Sequence, residues 1–122
     1  MSEPSMKEYE LPVKEIKIIV NQATQEISAV PSAARVSRNQ PITWQLFTAE
    51  ADRLISSPGS FLLVFPDGQP VDELEIRGAS TERVMARVVE DAPYGIFHYA
   101  VIASIDGRIY ADVTCNSVGV GK

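Results

Sequence analysis

The chain is 122 residues long, 45% hydrophobic and 22% charged, with a formal net charge of −5, one Cys and one His. A single Cys excludes an intrachain disulfide framework, and one Cys with one His cannot complete a four-ligand structural zinc site. The length fits one domain, and folding at this size buries about two thirds of the unfolded chain's surface, so a core can form without covalent staples.

Residues 1–12 read as a flexible, polar N-terminal arm that carries Glu3, Glu8 and Glu10 and is punctuated by Pro4 and Pro12. The arm lacks the basic start and apolar middle of a signal peptide. Residues 13–122 are expected to form one β-sandwich domain. After Pro12, the run Ile16, Ile18, Ile19, Val20 predicts a first strand that ends at Asn21. Short segments follow over Ile27–Val30 and Ala34–Ser37, with Pro31 between them. From Pro41 to Phe47, the residues Ile42, Trp44 and Leu46 alternate with Thr43 and Gln45, a period of two that predicts a strand. One short helical turn is expected near 48–57, capped by Thr48, with Glu50 suiting the dipole of its first turn and Pro58-Gly59 stopping it.

Phe61-Leu62-Leu63-Val64-Phe65 is apolar on both faces and ends at the turn signal Pro66-Asp67-Gly68. Such a run is either buried on both sides or offers one face to a partner; burial is favoured within one domain. Leu74 and Ile76 mark another strand. Ser80–Val89 fits helical spacing through Val84, Met85, Val88 and Val89, and alternation through Val84, Ala86 and Val88; its three valines tip it towards strand. Ile96–Ile105 predicts a long strand with Phe97, Tyr99, Val101 and Ala103 on one face. Asp106-Gly107 is a pair favoured in two-residue hairpins, and Ile109, Ala111 and Val113 return along the partner strand. Gly119 and Gly121 bracket a last short stretch. About eight short strands with frequent turns predict an all-β fold, an antiparallel Greek-key β-sandwich.

Two stretches resemble a known family. Val36-x-x-Asn39-Gln40-Pro41-Ile42-Thr43-Trp44 is similar to the V-x-x-G-x-x-V-x-W pattern that opens a cupredoxin strand. Asp91-Ala92-Pro93-Tyr94-Gly95-Ile96-Phe97-His98-Tyr99 is similar to the a-x-x-G-x-Y-x-Y pattern of the penultimate cupredoxin strand. The order of features across residues 13–120 resembles cupredoxin-like and immunoglobulin-like sandwiches. A blue-copper member carries a His after the Trp strand, then Cys, His and often Met between the last two strands, ligands suited to copper. Here residues 45–60 hold no His, and Ile105-Asp106-Gly107-Arg108 stands where the ligand loop would be, with no Cys, His or Met. The resemblance implies the scaffold of a copper-free relative with no cofactor, and a scaffold alone does not imply an activity.

The residues themselves point to no catalytic constellation. His98, the sole imidazole, falls mid-strand on the face opposite Phe97 and Tyr99, a sheet surface rather than a nucleophile pocket. Cys115 has no predicted cation or helix N-terminus to activate it and reads as a core thiol. Asp67, Asp72 and Glu73 share one loop and offer oxygen ligands for calcium, but without EF-hand spacing they read as a solvated turn. Gly119-Val120-Gly121-Lys122 lacks the spacing of a phosphate loop, and Trp44 reads as a core plug.

Sixteen acidic against eleven basic residues, with arginines scattered from Arg35 to Arg108, make nucleic acid an unexpected partner. Arg77, Arg83 and Arg87 either converge or lie on a mixed solvated face, and the latter is expected. No run approaches the roughly 18 apolar residues of a membrane span. A cytoplasmic location is expected, and a lone Cys115 fits a reducing compartment. The function expected is a non-enzymatic sandwich that binds another protein or itself. Its candidate contact residues are Phe61, Leu63 and Phe65, the Asp106-Gly107 hairpin, and the N-terminal arm. The alternatives are a small-ligand or carbohydrate-binding sandwich assisted by calcium, and a carboxylate-based hydrolase.

Overall fold

The computed structural model describes residues 11–49, 53–66, 68–73 and 75–121, and of Val113, Thr114 and Cys115 the backbone alone. Among the described residues the strands are, in chain order, β1 (Lys14–Asn21), β2 (Glu26–Val30), β3 (Ala33–Ser37), β4 (Pro41–Thr48), β5 (Gly59–Val64), β6 (Glu75–Ala79), β7 (Val84–Arg87), β8 (Gly95–Ile105) and β9 (Arg108–Gly121). They form a four-stranded sheet in the order β2-β1-β4-β7 and a five-stranded sheet in the order β3-β9-β8-β5-β6, packed together. Of the predicted arm, residues 1–10 lie outside the described residues, as do Glu50, Asp67 and Leu74.

Both sheets are mixed, which corrects the purely antiparallel sandwich expected from sequence. β1 runs parallel to β4 and β3 parallel to β9, while the other pairings are antiparallel. The parallel neighbours arise where the chain changes sheets. β2 leaves the first sheet at Pro31, continues as β3 in the second, and returns through Arg38–Gln40 as β4. No hairpin joins β1 to β4, so nothing forces them antiparallel.

The helical turn expected near 48–57 is not formed by the described residues of that span. β7 covers β4 only from Pro41 to Trp44, so the same edge of β4 is open further along. Residues 53–55 fill it: Thr48 N–H donates to Arg53 O at 2.6 Å, Ile55 N–H donates to Leu46 O at 3.1 Å, and Phe47 bridges Leu54. This return pairs the edge of β4 and buries Ile55 in the core, two gains that one helical turn would forgo.

Elsewhere the period of two explains itself. Successive side chains of a strand point to opposite faces, and the inward set is apolar: Ile16, Ile18 and Val20 on β1, Ile42, Trp44 and Leu46 on β4, Tyr99, Val101, Ala103 and Ile105 on β8. Burying each large side chain of this kind contributes about 1.5–3 kcal/mol. Within Ser80–Val89 the strand reading holds, since Val84, Ala86 and Val88 are inward while Met85 and Arg87 are exposed.

The β8–β9 hairpin turns on Asp106 at φ 52° and Gly107 at φ 77°, the positive values that a two-residue hairpin requires. It pairs Ile105 with Arg108, Ser104 with Ile109 and Ala103 with Tyr110. Ile109 and Ala111 therefore face outward, while Tyr110 and Asp112 face the core. Further along, Val101 pairs with Asp112 and Tyr99 with Asn116, so Ala100 alone stands opposite Val113–Cys115. This bulge adds two residues to β9 and preserves the inward parity on both sides of it.

Candidate functional site

Two features gather chemistry: a sealed polar cluster between the sheets, and the outer face of the five-stranded sheet. The cluster is built from β4, β8 and β9. Trp44 Nε1–H donates to the Tyr99 hydroxyl at 3.5 Å, and the two rings meet edge to face at 6.1 Å. Asn116 Nδ2 donates to Asp112 Oδ2 at 3.0 Å, a bond that spans the β9 bulge. Burial, the larger effect, and the Asp112 charge raise the Tyr99 phenol to about 12, against the opposing hydrogen bond from Trp44. The Tyr110 hydroxyl is buried with no hydrogen-bond partner among the described residues. All five side chains are buried. Their contacts link β4 to β8 across the two sheets and, within β9, bridge the bulge.

The predicted residues separate. Phe61, Leu63 and Phe65 are in the core at 1%, 0% and 0% exposure, so those three side chains are not available to a partner. The outward side chains of β5 are Ser60, Leu62 and Val64. Asp106 and Gly107 are exposed at the hairpin tip, where Asp106 N–H donates to Pro58 O at 3.1 Å. His98 is exposed on the outer face opposite Ser117. Cys115 lies within β9, with its side chain outside the description. Asp72 Oδ1 accepts from the Arg87 N–H at 3.4 Å, Glu73 is exposed, and Asp67 lies outside the described residues. Among the described residues no group of three His, Cys, Asp or Glu is placed to hold a metal ion. Arg77 pairs with Glu75 at 2.8 Å on β6 at one margin of the five-stranded sheet, whereas Arg87, on β7 of the other sheet, donates to Asn39 O at 2.7 Å.

The outer face of the five-stranded sheet was not singled out by the sequence. Its three central strands present Ser60, Leu62 and Val64 from β5, Ile96, His98, Ala100, Ile102 and Ser104 from β8, and Ile109, Ala111, Ser117 and Gly119 from β9. None of these is an Asp, Glu, Lys or Arg, and Ile96 and Ile109 are each 70% exposed. Charge appears at the margins, as the Arg77–Glu75 pair on β6 and as Arg35 on β3. Towards the β3 margin the face sinks into an open groove of about 670 Å³ lined by Ala33, Arg35, Ser37, Ile96, Ser117 and Gly119 among others. The signal that could have located this face is the hairpin register, since Asp106-Gly107 fixes which way Ile109 points.

Comparison of the chain with protein-family models finds no match. Comparison with curated proteins likewise finds none. No helix among the described residues is long and apolar enough to cross a membrane.

Proposed function

We propose that this chain is a non-enzymatic, copper-free Greek-key β-sandwich of the cupredoxin-like kind that works by binding another protein or a second copy of itself. Support for the scaffold comes from where the two family-like stretches fall. Val36 to Trp44 runs from β3 through the turn into β4, and Asp91 to Tyr99 leads into the penultimate strand. The last two strands meet in the two-residue turn Asp106-Gly107, which leaves no loop for copper ligands.

One observation carries the binding reading. The centre of the five-stranded sheet's outer face is mainly apolar and holds no Asp, Glu, Lys or Arg among its described outward residues, in a chain that is 22% charged overall. Contiguous exposed apolar area of this sort marks interaction surfaces, and the three isoleucines Ile96, Ile102 and Ile109 are its anchors. The hydrogen-bonded cluster of Trp44, Tyr99, Asp112 and Asn116 lies inside, away from this face.

The test is light scattering after size exclusion over a wide concentration range, with partner capture alongside. Ile102→Glu and Ile109→Glu are expected to abolish the association while leaving the melting temperature nearly unchanged, since both side chains point away from the core. An association that survives both substitutions, or a chain that remains monomeric and captures nothing, overturns the reading.

A further inference from the structure

The groove at the β3 margin differs from the rest of the face in holding a charged side chain, Arg35. Register aligns Arg35 with Gly119 and Gly119 with Ile96, so the glycine leaves a trough between two larger side chains. Ser117, only 7% exposed, lines the trough. Arg35 is exposed, makes no ion pair among the described residues, and no acidic residue lines the groove.

β3 is also the last strand on its side of the sheet. The Ala34 carbonyl lies against Gly119 of β9, so the alternate residues Ala33 and Arg35 direct their backbone groups to the open edge. At the end of the groove, Gln40 is a lining residue with both ends of its amide in use. Its Oε1 accepts from Ser37 N–H at 2.9 Å, and its Nε2 donates to Pro12 O at 2.9 Å. The chain that precedes β1 therefore reaches the fold at the mouth of this groove.

Residues 1–10, outside the described structure, carry Glu3, Glu8 and Glu10 against the single Lys7. We propose that the groove is the docking site for residues 1–10 of the same chain, laid along the open edge of β3 with a glutamate on Arg35. Three features converge on this occupant: the Pro12–Gln40 bond puts the segment's exit at the groove, the charges are opposite, and the direction fits. β3 leads through residues 38–40 into β4, and β1 is parallel to β4, so a segment leading into β1 at this corner runs parallel to β3. At about 3.3 Å per residue, ten extended residues span roughly twice the five-residue β3, and Glu8 and Glu10 fall nearest Arg35. Docking covers an edge that would otherwise invite strand pairing between molecules.

Hydrogen exchange on the full chain tests this. Deleting residues 1–10 is expected to speed exchange of the Arg35 amide by about tenfold, while the core amides of Val101 and Val118 keep their protection and report an intact fold. Arg35→Glu in the full chain is expected to do the same, and combining it with Glu8→Lys and Glu10→Lys is expected to restore protection. Equal exchange with and without the segment overturns the proposal. So does protection that disappears on dilution, which would make a second copy's segment the occupant. Failure of the charge swap to rescue Arg35→Glu overturns the placement of a glutamate on Arg35.

Discussion

Tyr99 sits where the two sheets meet, and its chemistry makes a pH prediction with a definite sign. Its phenol, ordinarily near 10, is raised to about 12 by burial and by the Asp112 charge. Between those values the unfolded chain releases the proton and the folded one keeps it, so unfolding is favoured as pH rises. The stability tied to Tyr99 is complete below pH 10 and falls progressively until pH passes 12, by about 2–3 kcal/mol in total. Chemical denaturation at intervals from pH 9 to 12 is expected to show a steeper loss for the native chain than for Tyr99→Phe. Equal slopes would mean that the phenol is not held in this environment. Tyr110 gives the converse case, because its buried hydroxyl lacks a partner among the described residues. Tyr110→Phe removes an uncompensated polar group and keeps the ring, so it should leave stability unchanged or raise it by about 1 kcal/mol. A loss above about 1 kcal/mol in urea titration would show that the hydroxyl is satisfied after all. The roles of Tyr110 and Asp112 are not legible in Tyr110-Ala111-Asp112 as a string. Asp112 is buried because the hairpin register turns it inward, and a register is a property of two strands.

The β8–β9 hairpin shows what an element can reveal in advance. Asp106-Gly107 specified the turn, and Gly107 at φ 77° has open space where a Cβ would project. Gly107→Ala therefore costs only the strain of a left-handed residue, about 1–2 kcal/mol. Gly59 contrasts with it: a Cβ there would land on the Ser104 carbonyl oxygen of β8, backbone that cannot give way. Gly59→Ala is expected to cost about 3 kcal/mol or more and to separate β5 from β8 at that end. Thermal melts of the two variants should differ accordingly, and similar melting temperatures would contradict the close approach. The strands with a clean period of two, β4 and β8 above all, were readable from residues alone. What was not readable was decided at a distance. Thr48–Ser57 carries a cap and a stop signal, yet its described residues lie along β4 because β7 ends at Arg87 opposite Pro41 and Val84 opposite Trp44. The parallel pairings of β1 with β4 and β3 with β9 join segments that no local pattern connects.

At the scale of the whole molecule, the apolar run Phe61–Phe65 promised either burial or a sticky face, and β5 does both by alternation. Phe61, Leu63 and Phe65 go inside, while Leu62 and Val64 join Ile102 and Ala100 of β8 on the outer face. The Asp106-Gly107 turn sets which way Ile109 points, but the rest of that face is assembled from three strands whose outward residues are scattered between positions 60 and 119. Its neutrality sets the salt dependence of any association through it. A chain of net charge −5 repels its own copies and other acidic partners at long range. If contact is made by apolar side chains, added salt screens that repulsion and leaves the contact intact, so association tightens. Contact made by the marginal Arg35 or Arg77 with acidic groups would respond with the opposite sign, as phosphate binding does. Raising sodium chloride from about 50 to 500 mM shrinks the screening length from roughly 14 to 4 Å, which removes most of the long-range term. The apparent dissociation constant measured by sedimentation is expected to fall several-fold over that range. A weakening with salt would transfer the interaction from the isoleucine face to the charged margins, and with it the seat of function.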